Sequence, residues 1–189
     1  MKLMKRGLLY AIVAGIFAYP AQAALVTGTP APVFTGQASL GGAEFTFSLA
    51  GALKNGPVVL FFYPKAFTRG CAVEAHDFAA AADAFQALGA SIIGISNDTI
   101  ETLKRFSVSA CQSKFPVGAD SDRKIIKAYD AGLLFSYANR TSYVIAPDGT
   151  FIYSYTALNP EKHVANTMAA VKKWRDAQAL MPSQHPPKT

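Results

Sequence analysis

The sequence predicts an α/β domain with a central mixed sheet flanked by helices, and three observations carry that prediction. Two short runs read as buried strands: 58–63, continuously apolar with β-branched and aromatic residues, and Ser91-Ile92-Ile93-Gly94-Ile95-Ser96. Each run leads into a longer stretch with helical spacing. Later, two segments at 141–145 and 150–155 flank the turn Pro147-Asp148-Gly149 and read as a hairpin.

The first 23 residues stand apart. Lys2, Lys5 and Arg6 precede an uncharged apolar run at 7–18, then Pro20 and the small-residue site Ala21-Gln22-Ala23. This is the layout of a secretory signal peptide cleaved after Ala23, and it predicts export to the periplasm with no lasting membrane association. The remaining 166 residues suit one domain over 24–180, followed by a loose proline-bearing tail at 181–189. Subtracting the three leader cations from 18 Lys+Arg leaves 15 against 12 Asp+Glu, so the formal charge falls from +6 to +3. No basic block of the kind that holds nucleic acid is present.

Along the domain, 24–31 reads as an extended leader. Alternation at 43–49, just after Gly41-Gly42, predicts a hairpin strand with Phe45, Phe47 and Leu49 on one face. Asn55-Gly56-Pro57 is a turn. The helix that follows Cys71 carries Val73, Phe78, Ala81, Phe85 and Leu88 at helical spacing and ends near Gly89. Asp98 and Glu101 read as a capping box for a helix reaching about Cys111, with Ile100, Leu103 and Phe106 inward. A short helix is predicted at 120–129, with Ile125, Ile126 and Tyr129 on its apolar side. A last helix starts at Asn159-Pro160 and buries Val164, Thr167, Val171 and Trp174. Strand, helix, strand, helix implies parallel pairing with right-handed crossovers. With the hairpin and closing helix added, the order is a thioredoxin-like fold carrying an N-terminal hairpin extension.

The chemistry concentrates where the first buried strand ends. Pro64 fixes the chain's exit from that strand, and Cys71 lies at the start of the following helix, among free N–H groups at the positive end of the helix dipole. Lys65 and Arg69 add positive charge, and the setting favours a thiolate. Thr68 stands three residues before the sulfur, where its hydroxyl can bond the thiolate or an oxygen brought to it. Arg140, at the entrance to a strand expected beside the Cys71 strand, is the candidate charged donor for the pocket. The only other cysteine is Cys111, 40 residues on. Without a CxxC pair, the two cysteines are open to being a structural staple, a reversible bond or, for Cys111, a buried free thiol. A thioredoxin-like binding or electron-transfer module with an inert disulfide is the alternative to an enzyme, but it would have no use for Thr68 and Arg140 in this arrangement. No residues with cofactor-binding or metal-binding spacing stand out.

The run Phe62-Tyr63-Pro64-Lys65-Ala66-Phe67-Thr68-Arg69-Gly70-Cys71 resembles the peroxidatic motif of peroxiredoxins, in the alkyl hydroperoxide reductase/thiol-specific antioxidant superfamily. It is most similar to the bacterioferritin comigratory protein (peroxiredoxin Q) subgroup. The resemblance implies that Cys71 attacks a peroxide and becomes a sulfenic acid, with Thr68 and Arg140 orienting the peroxide and Pro64 shielding the sulfur. It implies that Glu74 holds Arg140 or Arg69, or is simply an exposed first-turn carboxylate. Many members carry a second cysteine five residues after the first. Here that place is His76, which reads as a surface histidine. Cys111 then resembles the resolving cysteine of other members, and an intramolecular Cys71–Cys111 disulfide is implied, with local unwinding of both helix ends. A thioredoxin-like or other thiol protein is the implied reductant, and a monomer the implied state.

Overall fold

The structure, a computed structural model, describes residue 25 and residues 27–133 and 137–180. The expected signal peptide and the tail at 181–189 lie outside the described residues.

Strands β1 (Thr35–Leu40) and β2 (Ala43–Ser48) form the expected N-terminal hairpin. Gly41 and Gly42 turn it with φ of +57° and +85°, the left-handed pair that a two-residue hairpin needs. The strand does not run on to residue 49. Ser48 caps a short helix, α1 (Leu49–Leu53), its Oγ accepting from the Gly51 N–H at 3.2 Å. Leu49 is therefore buried from a helix, and Phe45 is half-exposed while Phe47 is buried.

The rest of the chain gives β3 (Val58–Phe62), α2 (Arg69–Ala87), β4 (Ser91–Ser96), α3 (Ile100–Ser109), β5 (Val117–Ala119), α4 (Lys124–Ala128), β6 (Thr141–Ile145) and β7 (Phe151–Thr156). A 3-10 turn, Pro160–Lys162, then leads into α5 (His163–Leu180). The strands make one sheet in the order β2-β1-β5-β4-β3-β6-β7. Its centre is the predicted parallel pair β3–β4, with β6 antiparallel on the far side of β3. The mixed sheet with helices on both faces is the expected thioredoxin-like fold.

Alternate residues of β3 divide the core. Val59, Phe61 and Tyr63 join Phe78 and Phe85 of α2, Phe106 of α3 and Val171 of α5. Val58, Leu60 and Phe62 join Leu49 of α1, Ile126 of α4 and Tyr129 on the opposite face. Phe61 stacks on Phe78 with ring centroids 4.3 Å apart, which fixes α2 over the strand that feeds it.

Three local expectations are corrected. Val73 is exposed, because the buried stripe of α2 runs instead through Cys71, Glu74, Ala75 and Phe78. Thr99, not Asp98, caps α3, with its Oγ1 accepting from the Thr102 N–H. In α5 the fully buried residues are His163, Thr167 and Val171, while Val164 and Trp174 are half-buried.

Candidate active site

The site forms where β3 hands the chain to α2. Register Phe62↔Thr141 in the β3–β6 pair sets residue 140 beside the point where the chain leaves β3. The loop 64–68 is held from beneath: the Ala66 N–H donates to Asp98 Oδ2 at 2.7 Å, and the Ser96 hydroxyl donates to the same oxygen at 2.9 Å. Phe67 takes φ +64°, a left-handed conformation that a bulky side chain adopts only under constraint. Its ring meets Phe106 edge-on, centroids 5.2 Å apart.

Thr68 is the N-cap of α2 in an extended conformation, but its side chain caps nothing. Its hydroxyl donates to the Lys65 carbonyl at 2.9 Å. The proton is committed, so the lone pairs remain free to accept from an incoming O–H. Pro64 is half-buried beside it. Lys65 and Arg69 are both exposed, and Lys65 Nζ lies 5.8 Å from the Tyr137 ring centroid.

Cys71 lies in the first turn of α2 and is 2% exposed. Arg140, 5% exposed, spends each arm of its guanidinium on a different partner. Nη2 donates to Cys71 Sγ at 3.5 Å, Nε donates to the Leu158 carbonyl at 2.9 Å, and Nη1 donates to Glu74 Oε2. Glu74, one helical turn past Cys71, is fully buried, so the exposed-carboxylate alternative does not hold and its partner is Arg140. Burial pushes the Glu74 carboxyl up to about 8, against the downward pull of the guanidinium. The other carboxyl oxygen, Oε1, has no hydrogen-bond partner and faces His163 Nδ1 at 3.7 Å. Gly70 makes room for the arrangement, since a Cβ there would sit 3.2 Å from Arg140 Nη2.

Cys111 lies just past the end of α3, fully buried, and both cysteines are free thiols. Burial pushes the Cys111 thiol up to about 12. The next two residues, Gln112 and Ser113, have φ of +50° and +56°. Two side-chain ties fasten this segment to α2: Gln112 Nε2 to His76 Nδ1 at 2.6 Å, and Lys114 Nζ to Asp83 at 3.0 Å. His76 is thus a surface histidine that links the two cysteine segments.

Cys71, Glu74 and Arg140 come together as the sequence suggested, with Thr68 and Pro64 on the adjoining loop and Cys111 in the same apolar core. Sequence reasoning missed Asp98 as the support of the loop and His163 as a member of the buried polar group. For His163 the available signal was a histidine at the inward-facing start of α5.

Residues 27–154 match the AhpC/TSA family. A putative chloroplastic peroxiredoxin Q of Oryza sativa subsp. indica is 32% identical over 162 residues, covering 79% of this chain and 74% of the relative. Peroxiredoxin Bcp of Xanthomonas campestris is 29% identical over 122 residues, covering 61% of this chain and 76% of the relative. The crystal structure of peroxidoxin BcpB from Mycobacterium tuberculosis superposes with a TM-score of 0.71 at 27% identity, covering 79% of this chain and 97% of that one. With a motif, fold and site of this kind, the chain belongs to the AhpC/TSA family, as a peroxiredoxin of the bacterioferritin comigratory protein and peroxiredoxin Q subgroup.

Proposed function

We propose that this peroxiredoxin reduces hydrogen peroxide and small alkyl hydroperoxides through Cys71 and closes its cycle with an intramolecular Cys71–Cys111 disulfide. The observation that carries the reading is Arg140 Nη2 at 3.5 Å from a buried Cys71 Sγ in the first turn of a helix. The Cys71 thiolate attacks the terminal peroxide oxygen. An S–O bond forms as the O–O bond breaks, the sulfur loses two electrons, and the leaving oxygen takes a proton to depart as water or an alcohol. Arg140 and the helix N-terminus stabilise charge developing on the oxygens, and the Thr68 lone pairs accept from the peroxide O–H. Pro64, which has no N–H, helps to keep the loop over the sulfur dry. Exposed Phe67, on that loop, and Leu158, whose carbonyl holds Arg140, give the site apolar neighbours suited to an organic peroxide.

Cys111 then attacks the sulfenic acid sulfur, water leaves, and a disulfide remains. An external thioredoxin-like dithiol supplies the two electrons that regenerate both thiols. The protein works as a monomer in the periplasm after cleavage of residues 1–23. Mass spectrometry of the exported, peroxide-treated protein tests this. Wild type is expected to start at Ala24 and to gain an internal disulfide, whereas Cys111→Ser stops at a sulfenic acid or its overoxidised products. A Cys71→Ser variant that consumes peroxide like wild type would refute the assignment.

A further inference from the structure

The first turn of α5 holds a buried histidine that the reaction above does not use. His163 is fully buried, and both ring nitrogens are engaged. Nε2 lies 2.9 Å from the Ala157 carbonyl, which can only accept, so Nε2 carries a hydrogen. In the neutral ring Nδ1 is then bare, and it accepts from the Ser142 hydroxyl at 2.8 Å. The Tyr155 ring packs edge-on against the imidazole, centroids 4.8 Å apart. Also near Nδ1, at 3.7 Å and beyond hydrogen-bond reach, stands the unpartnered Oε1 of Glu74.

Oε1 is thus a buried acceptor with no donor, beside an imidazole whose Nδ1 already takes its hydrogen bond from Ser142. One proton held by the pair, on the carboxyl group or on the ring, removes the cost of leaving that carboxylate uncompensated. We infer that His163 is a positioning residue of the peroxidase site: it shares one buried proton with Glu74 and, through that carboxyl group, aims Arg140 at Cys71. The inference rests on the peroxidase reading and adds to it a residue and a proton.

The charge count points the same way. With Cys71 as thiolate, Arg140 cationic and one proton held by the Glu74–His163 pair, the buried group is neutral. Without that proton it carries one uncompensated negative charge in a site that excludes water. The charged and titratable groups facing the pair are few. Cys71 and Asp77 come from α2, Arg140 from the approach to β6, and Tyr155 from β7. Burial raises Glu74 and lowers His163, so at neutral pH the proton rests on the Glu74 carboxyl group, beside a neutral imidazole. Oε2 keeps accepting from Arg140 Nη1, and the guanidinium stays pinned between Glu74 and the Leu158 carbonyl with its third arm on the sulfur. Once the proton is lost, the carboxylate draws Arg140 toward itself and away from the sulfur.

Nitrogen NMR of histidine-labelled full-length protein tests this without any peroxide. The expected result is an Nε2–H tautomer with one change at Nδ1 centred at about pH 8, absent in Glu74→Gln. The rate of Cys71 alkylation by iodoacetamide, on a Cys111→Ser background, is expected to step at the same pH. In His163→Gln, which keeps a donor for Ala157, that step is displaced and the hydrogen peroxide rate at neutral pH falls about ten-fold. A purely structural histidine would move stability but not the pH step. An imidazole titrating near its ordinary pH independently of Glu74, or a His163→Gln variant with an unchanged pH profile, would overturn the inference. A wild type inert to peroxide but showing the coupled titration would overturn the peroxidase reading and leave the shared proton standing.

Discussion

In the proposed cycle, resolution of the Cys71 sulfenic acid requires Cys111 to leave the core, and its rate is expected to respond to the tie between Gln112 and His76. In the closed fold, burial holds the Cys111 thiol at about 12 against an ordinary value of 9.0. The reactive thiolate is therefore scarcer by about a thousand-fold than in an open, solvated segment. Disulfide formation then reports the opening equilibrium of residues 110–114. Left-handed Gln112 and Ser113 push toward opening, at about 1–3 kcal/mol each. The ties to His76 and Asp83 push toward closure. A partly solvated hydrogen bond is worth about 0.5–1 kcal/mol net, so His76→Ala should raise the open population, and with it the rate of disulfide formation, about two- to five-fold. Mixing with one equivalent of peroxide, followed by timed alkylation and mass spectrometry, separates the sulfenic acid from the disulfide. Hydrogen exchange at residues 110–114 measures the opening in the same variant. A slower disulfide, or faster exchange with no change in disulfide rate, would refute the account.

Two further outcomes are expected. Gly70→Ala puts a methyl group 3.2 Å from Arg140 Nη2 in a helical turn that otherwise welcomes alanine, so it should cut the peroxide rate about ten-fold without lowering the thermal midpoint; an unchanged rate would show that the guanidinium has slack. Glu74 gives a stability signature of defined sign. Its folded value of about 8 lies above the ordinary 4.5, so the folded state binds the proton more tightly, and the stability this contributes is full below about pH 4.5 and lost as pH rises to about 8. Urea denaturation across that window should show a decline in wild type that is absent in Glu74→Gln.

The reactive centre was legible because its parts are local or tied to strand ends. Pro64, Thr68 and Cys71 occupy one strand-turn-helix stretch, and Arg140 opens a strand whose neighbour the apolar pattern had already identified. What escaped was set by partners remote in sequence. Asp98 looked like a helix cap because it stands three residues before Glu101. The fold instead turns its carboxylate onto the Ala66 N–H, 32 residues earlier in the chain, and gives the cap to Thr99. Strand β5 is a three-residue Val-Gly-Ala segment with no pattern of its own, and it becomes a strand because β1 and β4 each offer it an edge. Glu74 was placed correctly along the helix, but its burial depends on α5 and the approach to β6 closing over it, which no helical spacing reveals.

That burial also limits what can move during turnover. Glu74 is fixed by Arg140, so α2 can unwind from its N-terminus only as far as residue 73 without breaking a buried ion pair. On the other side, buried Phe106 anchors α3, and the backbone bonds from the Ala110 and Cys111 N–H groups to its carbonyl are the ones that open when the segment frays back to it. Converting the three residue steps from Cys71 to Glu74 from helix to extended chain adds about 5 Å of reach, and the five steps from Phe106 to Cys111 add about 9 Å. Together the two segments offer the sulfurs about 14 Å of added approach while the Glu74–Arg140 pair stays intact. In the proposed cycle the pair that aims the arginine in the closed state is thus the hinge from which Cys71 would depart, and the pocket would reassemble around it once the disulfide is reduced.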